Sequence, residues 1–383
     1  MRRRRRRRRR DGFTRTSIMT KILHVVGARP NFPKLAPVHR AAVAAGLDQV
    51  VVHTGQHYDD AMSASFFREL EIPEPDVNLG VGSQTHAVQT GRIMERIEPV
   101  LLDARPDWVL VYGDVNSTAA AALVAVKLGL RVAHVEAGLR SHDRGMPEEI
   151  NRLVTDRIAD LLLTPSRDAD DALRREGVPE HRIAFVGNVM IDSLFHALRH
   201  VPADAGEAGA VVVTLHRPSN VDEPRRLAAI AGALRAIAED RPVVFPVHPR
   251  TRQRLSEAGL DLGDVRLLAP VPYREMLGYV ARAHAVVTDS GGLQEETTAL
   301  GVPCFTVRDN TERPVTITEG TNRLVLDPSE LPQLVSRAVR PAAPRRPEGW
   351  DGRAGERVVA ALAAFAELPP PPTPAGADAV VGV

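Results

Sequence analysis

The chain has 383 residues, 44% of them hydrophobic and 25% charged, which is typical of globular proteins and long enough for two domains. It has no apolar run that could span a membrane, and its single cysteine, Cys304, excludes an internal disulfide and a multi-cysteine metal site. Residues 1–18 contribute +9 to a formal charge of +1, which leaves −8 for residues 19–383 and argues against a nucleic-acid or membrane partner.

The chain begins with an unbroken arginine run at residues 2–10. Such a run can be an interaction tail that binds nucleic acid or a membrane surface. The alternative is that residues 1–18 are a disordered or artefactual extension and that translation begins at Met19, just before the first predicted strand. We favour this second interpretation because nothing else in the chain resembles a nucleic-acid-binding module.

From residue 21 onward, short apolar strands alternate with helical segments such as 117–128. The predicted strands of the first half are 22–26, 49–53, 107–112, 131–135, 161–163 and 183–186. After a Pro/Gly-containing linker at 202–209, those of the second half are 210–214, 243–247, 265–268, 285–288 and 302–307. Continuous apolar strands that alternate with helices indicate parallel sheets covered on both faces.

The predicted fold class is therefore α/β, with two Rossmann-like doubly wound parallel-sheet domains that face each other across a cleft. We expect domains at 19–195 and 196–368, with the boundary between residues 190 and 208. The last helix, predicted at 355–368, could pack back on the first domain. The proline-rich tail, 369–383, is predicted to be disordered.

The loop after the first strand carries two cations, Arg29 and Lys34, where a helix begins. Helix N-termini favour anions, so the loop is either a phosphate-binding site or two surface cations near a helix start. It matches neither a dinucleotide fingerprint nor a P-loop. Gly80-Val81-Gly82 also lacks the third glycine of a dinucleotide loop, since Thr85 stands there. No cofactor is predicted.

Three carboxylates follow predicted strands or helix starts of the first half: Asp114, Glu136 and Glu149. Taken singly, each is more often a helix cap or a salt-bridge partner. Since the carboxyl ends of parallel strands meet at one sheet edge, we expect the three to converge. Converging acids suit proton transfer at a carbon.

The second half places His216 and Arg217 after its first strand and Ser290-Gly291-Gly292 at a strand-to-helix turn. A lone histidine is usually structural, but this pair could stabilise a diphosphate leaving group. The glycine turn lets a phosphate approach the backbone closely. Two further side chains follow at the same predicted edge, Glu296 for ribose hydroxyls and Arg313 as another cation.

At these segments, from about Lys21 to the final helix, the sequence resembles the non-hydrolysing UDP-N-acetylglucosamine 2-epimerases, which have the GT-B fold. The resemblance implies C2 epimerisation of a UDP-sugar without a cofactor or metal, in a cytoplasmic homodimer. It implies catalytic roles for Asp114, Glu136, Glu149 and His216. It implies substrate binding by Arg29, Lys34, Ser290, Gly291, Gly292, Glu296 and Arg313, with a uracil pocket near Val271 and Met276.

Two positions depart from the family pattern. Asn31 replaces the usual acid after Arg-Pro, and Tyr58 replaces the basic residue expected after Gln56-His57. In bacterial relatives the latter region forms a second site where UDP-GlcNAc activates the enzyme, so Gln56 and His57 mark a candidate regulatory site. The first loop and the segment 215–221 look like those of a variant subgroup, so the substrate could be a modified UDP-sugar.

The chemistry predicted from the substrate is elimination of UDP to a 2-acetamidoglucal, followed by re-addition with the C2 proton delivered to the opposite face. The carboxylates that act as base and acid stay unassigned. The alternatives are a hydrolysing 2-epimerase that releases N-acetylmannosamine and UDP, a GT-B glycosyltransferase, and a nucleotide-sugar sensor without catalysis.

Overall fold

The computed structural model describes residues 21–56, 67–202 and 204–366. The extension 1–18, the tail 369–383 and His57 lie outside these residues. No helix within them combines the length and apolarity that a membrane crossing requires.

The first half forms a seven-stranded parallel sheet with the order β3-β2-β1-β4-β5-β6-β7. Its strands are β1 Lys21–Val26, β2 Asp48–His53, β3 Val77–Asn78, β4 Trp108–Tyr112, β5 Val132–Val135, β6 Leu161–Thr164 and β7 Ile183–Phe185. The helices that follow or connect them are α1 Phe32–Ala44, α2 His86–Ala104, α3 Asn116–Lys127, α4 Pro147–Ile158, α5 Arg167–Arg175 and α6 Val189–Leu198.

The second half forms a six-stranded parallel sheet with the order β10-β9-β8-β11-β12-β13. Its strands are β8 Val211–Thr214, β9 Val243–Pro246, β10 Arg266–Leu268, β11 Ala285–Thr288, β12 Cys304–Thr306 and β13 Asn322–Leu324. Its helices are α7 Pro218–Val221, α8 Pro224–Ala238, α9 Pro249–Glu257, α10 Tyr273–Arg282, α11 Gly291–Leu300, α12 Val315–Thr318 and α13 Leu331–Ser336, and the described chain ends in α14 Ala354–Ala366.

Each sheet is buried between helices on both faces, as continuous apolar strands require. Val358 and Leu362 of α14 belong to the core on one face of the first sheet, so the last helix packs on α1 of the first half. Cys304 is fully buried, and burial raises the pKa of its thiol to about 11. A small buried hydrophobe is the role that its apolar sequence context predicts.

The predicted fold class, two parallel-sheet α/β domains of GT-B type, is confirmed. Two strands are absent from the prediction, β3 and β13, because their residues, Val77–Asn78 and Asn322–Leu324, contain no apolar run. In both sheets the strand order reverses, between β1 and β4 in the first and between β8 and β11 in the second. Ligands of doubly wound sheets bind outside the carboxyl ends of the strands at such points.

Candidate active site

A cavity of about 580 Å³ lies where the carboxyl ends of the two sheets face each other. The first half contributes loops after β1 and β4 and the start of α4. The second half contributes the loops after β8, β11 and β12 and one face of α10. The predicted site residues that line the cavity are Arg29, Lys34, Asp114, His216, Arg217, Met276, Ser290, Gly291, Gly292, Glu296 and Arg313.

Asn31 fastens the loop between β1 and α1 that carries two of these cations. Its side-chain oxygen accepts from the amides of Gly27 (3.0 Å) and Ala28 (3.1 Å), while its side-chain nitrogen donates to the carbonyl of Tyr112 (2.8 Å). A carboxylate could not make the last bond because it has no donor when ionised. The departure from the family acid is therefore compatible with a well-ordered loop.

Glu136 is buried directly behind the cavity wall and forms ion pairs with Lys34 and Arg313. Burial alone would raise the pKa of Glu136, but the charges of Lys34 and Arg313 hold it below its ordinary value. Its backbone is in the left-handed region (φ 73°), a conformation that costs about 1–3 kcal/mol for a residue with a side chain and is concentrated at functional sites. The carboxylate is held ionised.

The Lys34–Glu136 pair lies over Gly113, the residue that directly follows β4. A Cβ atom at Gly113 would lie 2.5 Å from Nζ of Lys34 and 3.3 Å from a carboxylate oxygen of Glu136. The backbone there also has φ 62°, which disfavours any other residue. Gly113 therefore makes room for the buried ion pair.

Arg152 of α4 joins the other two predicted acids. It pairs with Asp114, which is 29% exposed at the cavity, and donates to Glu149 through Nε (2.9 Å) and Nη2 (2.6 Å). Glu149 also accepts from the amides of Ser141 and His142, both at 3.0 Å. Burial would raise the pKa of Glu149, yet these donors lower it. Glu149 does not line the cavity.

On the other side, Asp289 organises the loops after β8 and β11. It is fully buried and accepts from the backbone amides of His216 and Arg217 and from the side chain of Asn220 (3.0 Å). The His216 imidazole lies 3.0 Å from Asp289 and remains about half exposed toward the cavity. Burial acts to raise the pKa of Asp289, but His216 and the hydrogen bonds outweigh burial, so the pKa lies below its ordinary value.

Two adjacent glutamates of α11 stand behind the Ser290-Gly291-Gly292 turn. Glu296 accepts from the hydroxyl of Tyr273 (2.8 Å), and burial raises its pKa to about 7. Burial likewise raises the pKa of Glu295 to about 7, although Arg313 acts to lower it.

Arg313 connects the two halves. Its Nη2 donates to Glu136 of the first half (3.0 Å), and its Nε lies 3.0 Å from Glu295 and its Nη1 beside Glu312, both in the second half. These carboxylates keep the pKa of Arg313 high against the effect of burial. The cavity wall is therefore continuous across the cleft.

Some predicted residues lie elsewhere. Val271, in the turn before α10, does not line the cavity. Gln56 is buried and accepts from the amide (3.1 Å) and hydroxyl (2.7 Å) of Ser117 at the start of α3. Three residues that build the site were not predicted from the sequence: Arg152, Tyr273 and Asp289. Asp289 directly precedes the predicted Ser290 turn, and this position is a signal that could have revealed it.

A model of the UDP-N-acetylglucosamine 2-epimerase family matches residues 39–363. UDP-N-acetylglucosamine 2-epimerase of Methanocaldococcus jannaschii is 42% identical over 360 residues, which cover 89% of this chain and 98% of that protein. The chain belongs to the UDP-N-acetylglucosamine 2-epimerase family. The fold of this chain is similar to the crystal structure of the Methanocaldococcus jannaschii enzyme in complex with UDP-GlcNAc and UDP. The TM-score is 0.81 and the sequence identity is 40%, and the match covers 90% of this chain and 100% of that one.

Members of the family differ in substrate. UDP-2,3-diacetamido-2,3-dideoxy-D-glucuronate 2-epimerase of Pseudomonas aeruginosa is 47% identical to this epimerase-family chain over 312 residues, covering 80% of this chain and 88% of that protein. The family is thereby established, and the sugar is a separate question.

Proposed function

We propose that this protein catalyses the reversible C2 epimerisation of UDP-N-acetylglucosamine to UDP-N-acetylmannosamine without hydrolysis. The observation that carries the proposal is that Arg313, which lines the cavity between the sheets, joins the ionised carboxylate of Glu136 in one half to the 290–292 turn of the other. The similarity to a relative whose crystal structure contains UDP-GlcNAc and UDP supports a UDP-sugar as the ligand.

The substrate dictates the reaction. C2 carries an acetamido group and no hydroxyl, so oxidation at that carbon is not available. Cleavage of the C1–O bond to UDP generates positive character that makes the C2 proton removable by a base. Loss of that proton and of UDP gives a 2-acetamidoglucal, and re-addition of UDP at C1 with a proton delivered to the opposite face of C2 gives the epimer. A closed cleft protects this intermediate from water.

We assign the proton-transfer roles to the first half. We propose Glu136 as the base, because Lys34 and Arg313 keep it ionised, as a base must be before it accepts a proton. Both cations line the cavity in front of Glu136, so their movement toward a bound UDP-sugar would open the carboxylate to the substrate. Asp114 is the carboxylate exposed at the cavity, and it suits the second proton transfer. Glu149, held by Arg152, then acts by positioning that arginine and through it Asp114.

We assign the nucleotide to the second half. The amides at the start of α11, behind Ser290, Gly291 and Gly292, favour a diphosphate, and His216 and Arg217 add positive charge beside them. Arg29 faces the same space from the first half. Glu296 at the cavity wall suits the ribose hydroxyls, and the protein is proposed to act as a homodimer.

A modified UDP-sugar is a second candidate substrate. The 47% identical relative is named as an epimerase of a diacetamido uronic acid. An added carboxylate and a second acetamido group would need extra cations and donors near the cavity, and Arg29, which is exposed there, supplies one.

Product analysis tests the proposal. Purified protein incubated with UDP-GlcNAc and, separately, with the 2,3-diacetamido glucuronate analogue should yield the C2 epimer with UDP still attached, identified by NMR. Release of N-acetylmannosamine and free UDP would instead establish a hydrolysing enzyme. Turnover that requires an added acceptor would establish a glycosyltransferase.

A further inference from the structure

Three side chains with metal-binding groups meet outside the cavity: Glu71, His196 and His200. One ligand atom of each lies within 4.8 Å of the ligand atoms of the other two. Across residues 21–56, 67–202 and 204–366, no other group of three or more His, Cys, Asp or Glu side chains meets this condition. None of the three lines the cavity between the sheets, so the proposed epimerase chemistry does not use them.

His196 lies in the last turn of α6, and His200 lies in the turn two residues beyond the end of that helix. The rings are 5.3 Å apart between centroids. Nδ1 of His200 lies 3.2 Å from the backbone carbonyl of His196. Because a carbonyl only accepts, Nδ1 must carry the proton, and Nε2 of His200 is left with a free lone pair. A metal-binding histidine is commonly oriented by such a bond from its other ring nitrogen.

The third group comes from a different part of the chain. A carboxylate oxygen of Glu71 lies 3.2 Å from Nε2 of His196. The turn that holds Glu71 is fixed by the bond from the amide of Ile72 to the carbonyl of Phe67 (2.9 Å). Glu71 and His200 are exposed and His196 is partly buried, so modest side-chain rotations can bring the three atoms to the shorter separations of a coordination sphere.

Two neighbouring arginines hydrogen-bond to the backbone of the segment that carries Glu71. Nη2 of Arg274 donates to the carbonyl of Glu69 (2.6 Å) and lies 4.0 Å from Glu71. Nη1 of Arg40 donates to the carbonyl of Leu70 (3.1 Å). Both guanidinium groups are thus directed to backbone oxygens of the same segment. Two imidazoles and one carboxylate match the three-ligand sets that bind Zn²⁺ with a fourth position open to water.

We propose that Glu71, His196 and His200 form a zinc site that fastens the segment 67–72 to α6. In chain order, α6 follows the last strand of the first sheet and precedes the first strand of the second sheet. It packs against α1 and α11. Bound metal would therefore tie together elements beside the junction of the two halves.

Calorimetric titration of the untagged, chelator-treated full-length protein with zinc sulfate tests this site. We expect one Zn²⁺ per chain in addition to any background sites and a rise in the unfolding temperature when zinc is present. Loss of a partner that merely orients a ligand weakens metal affinity by about 10–100-fold, so removing a ligand should raise the Kd by at least about tenfold. The variants are His200→Gln, His196→Gln and Glu71→Gln.

The matched control is His181→Gln, because His181 is an exposed histidine in a short 3-10 helix of the first half. This variant should titrate like the unaltered chain. Circular dichroism of each variant checks that it folds. Glu71 and His200 are exposed, so we expect the variants at these two positions to fold. Titration curves for His200→Gln and Glu71→Gln that match that of the unaltered chain would overturn the proposal, as would the absence of zinc binding by the unaltered chain.

Discussion

The two sides of the cavity hold the same kind of side chain in opposite states. On the first-half side, Glu136 and Glu149 have pKa values below the ordinary range because lysine, arginine or amide donors outweigh their burial. On the second-half side, burial raises the pKa values of Glu295 and Glu296 to about 7. The number of positive groups facing each carboxyl, rather than its depth in the protein, decides between the two states.

The opposite pKa shifts suit the glutamates on the two sides to different roles in the proposed reaction. An ionised carboxylate can accept a proton from carbon, whereas a carboxyl that is protonated near neutral pH can donate a hydrogen bond. Glu136 is thus suited to proton transfer and Glu296 to holding a hydroxyl-bearing ligand. Substitutions on the two sides should consequently have different effects.

The largest expected effect is on the first-half side. Glu136→Gln keeps the size of the side chain but removes the base, so kcat should fall by about 10²–10⁴-fold, with a smaller change in KM. Steady-state rates of epimer formation measure this. Glu257→Gln, at an exposed glutamate paired with Arg254, is the matched control and should remain within about twofold. A kcat for Glu136→Gln close to that of the control would contradict the assignment of the base.

The two sides should also respond to pH with opposite signs. The folded-state pKa of Glu296, about 7, lies above its unfolded value of 4.5, so the folded chain holds an extra proton between these values. Its contribution to the free energy of unfolding therefore declines as pH rises toward about 7. Glu296→Gln removes this decline and should gain stability relative to the unaltered chain at pH 8.

Glu149 should behave in the opposite way. The pKa of Glu149 is lower in the folded chain than in the unfolded chain. Its contribution to the free energy of unfolding is therefore present above the unfolded pKa and is lost as pH falls through the folded pKa. Glu149→Gln should destabilise the protein by about 1.5–3 kcal/mol at pH 7, the contribution of hydrogen bonds to a charged group, and by less in acid. Urea unfolding of both variants at several pH values measures these changes. If the stability of the Glu149→Gln and Glu296→Gln variants depended on pH in the same way, the opposite pKa shifts of the two glutamates would be contradicted.

A glycine pair on the second-half side gives an intermediate effect. A Cβ atom at Gly291 would lie 2.6 Å from Nη1 of Arg313 and 3.0 Å from a carboxylate oxygen of Glu312, whereas one at Gly292 would only touch Met190 at 3.6 Å. Gly291→Ala should therefore lower the free energy of unfolding by about 1–3 kcal/mol. Gly292→Ala is the matched control, neutral or slightly stabilising because alanine favours a helix. Equal stability of the two variants, measured by urea unfolding, would refute the close fit at Gly291.

The smallest expected effect comes from Tyr273→Phe. Removing the hydroxyl deletes one hydrogen bond to Glu296, which costs about 1 kcal/mol of stability. The same bond lowers the pKa of Glu296, so the decline in stability should extend to higher pH in the variant. An unchanged pH profile would show that the bond does not control the protonation of Glu296.

The sequence predicted most of the strands because they are short segments made mainly of buried apolar residues. The sequence also predicted that Asp114, His216 and the 290–292 turn lie at the carboxyl ends of their sheets, since parallel strands end at the same sheet edge. It could not predict which acids face the cavity. Glu136 is held by Lys34 and Arg313 from other segments, and Glu149 by Arg152 three residues later on the same helix. Arg152 and Tyr273 were missed because their contacts with Asp114 and Glu296 join residues that are distant in sequence.

Epimerisation in heavy water tests the central claim most directly. If a protein carboxylate removes the C2 proton and another group returns one, the UDP-sugar epimer formed from UDP-GlcNAc in D₂O should carry deuterium at C2, as observed by NMR, with UDP still attached. Formation of the epimer with its original hydrogen retained at C2 would contradict the account.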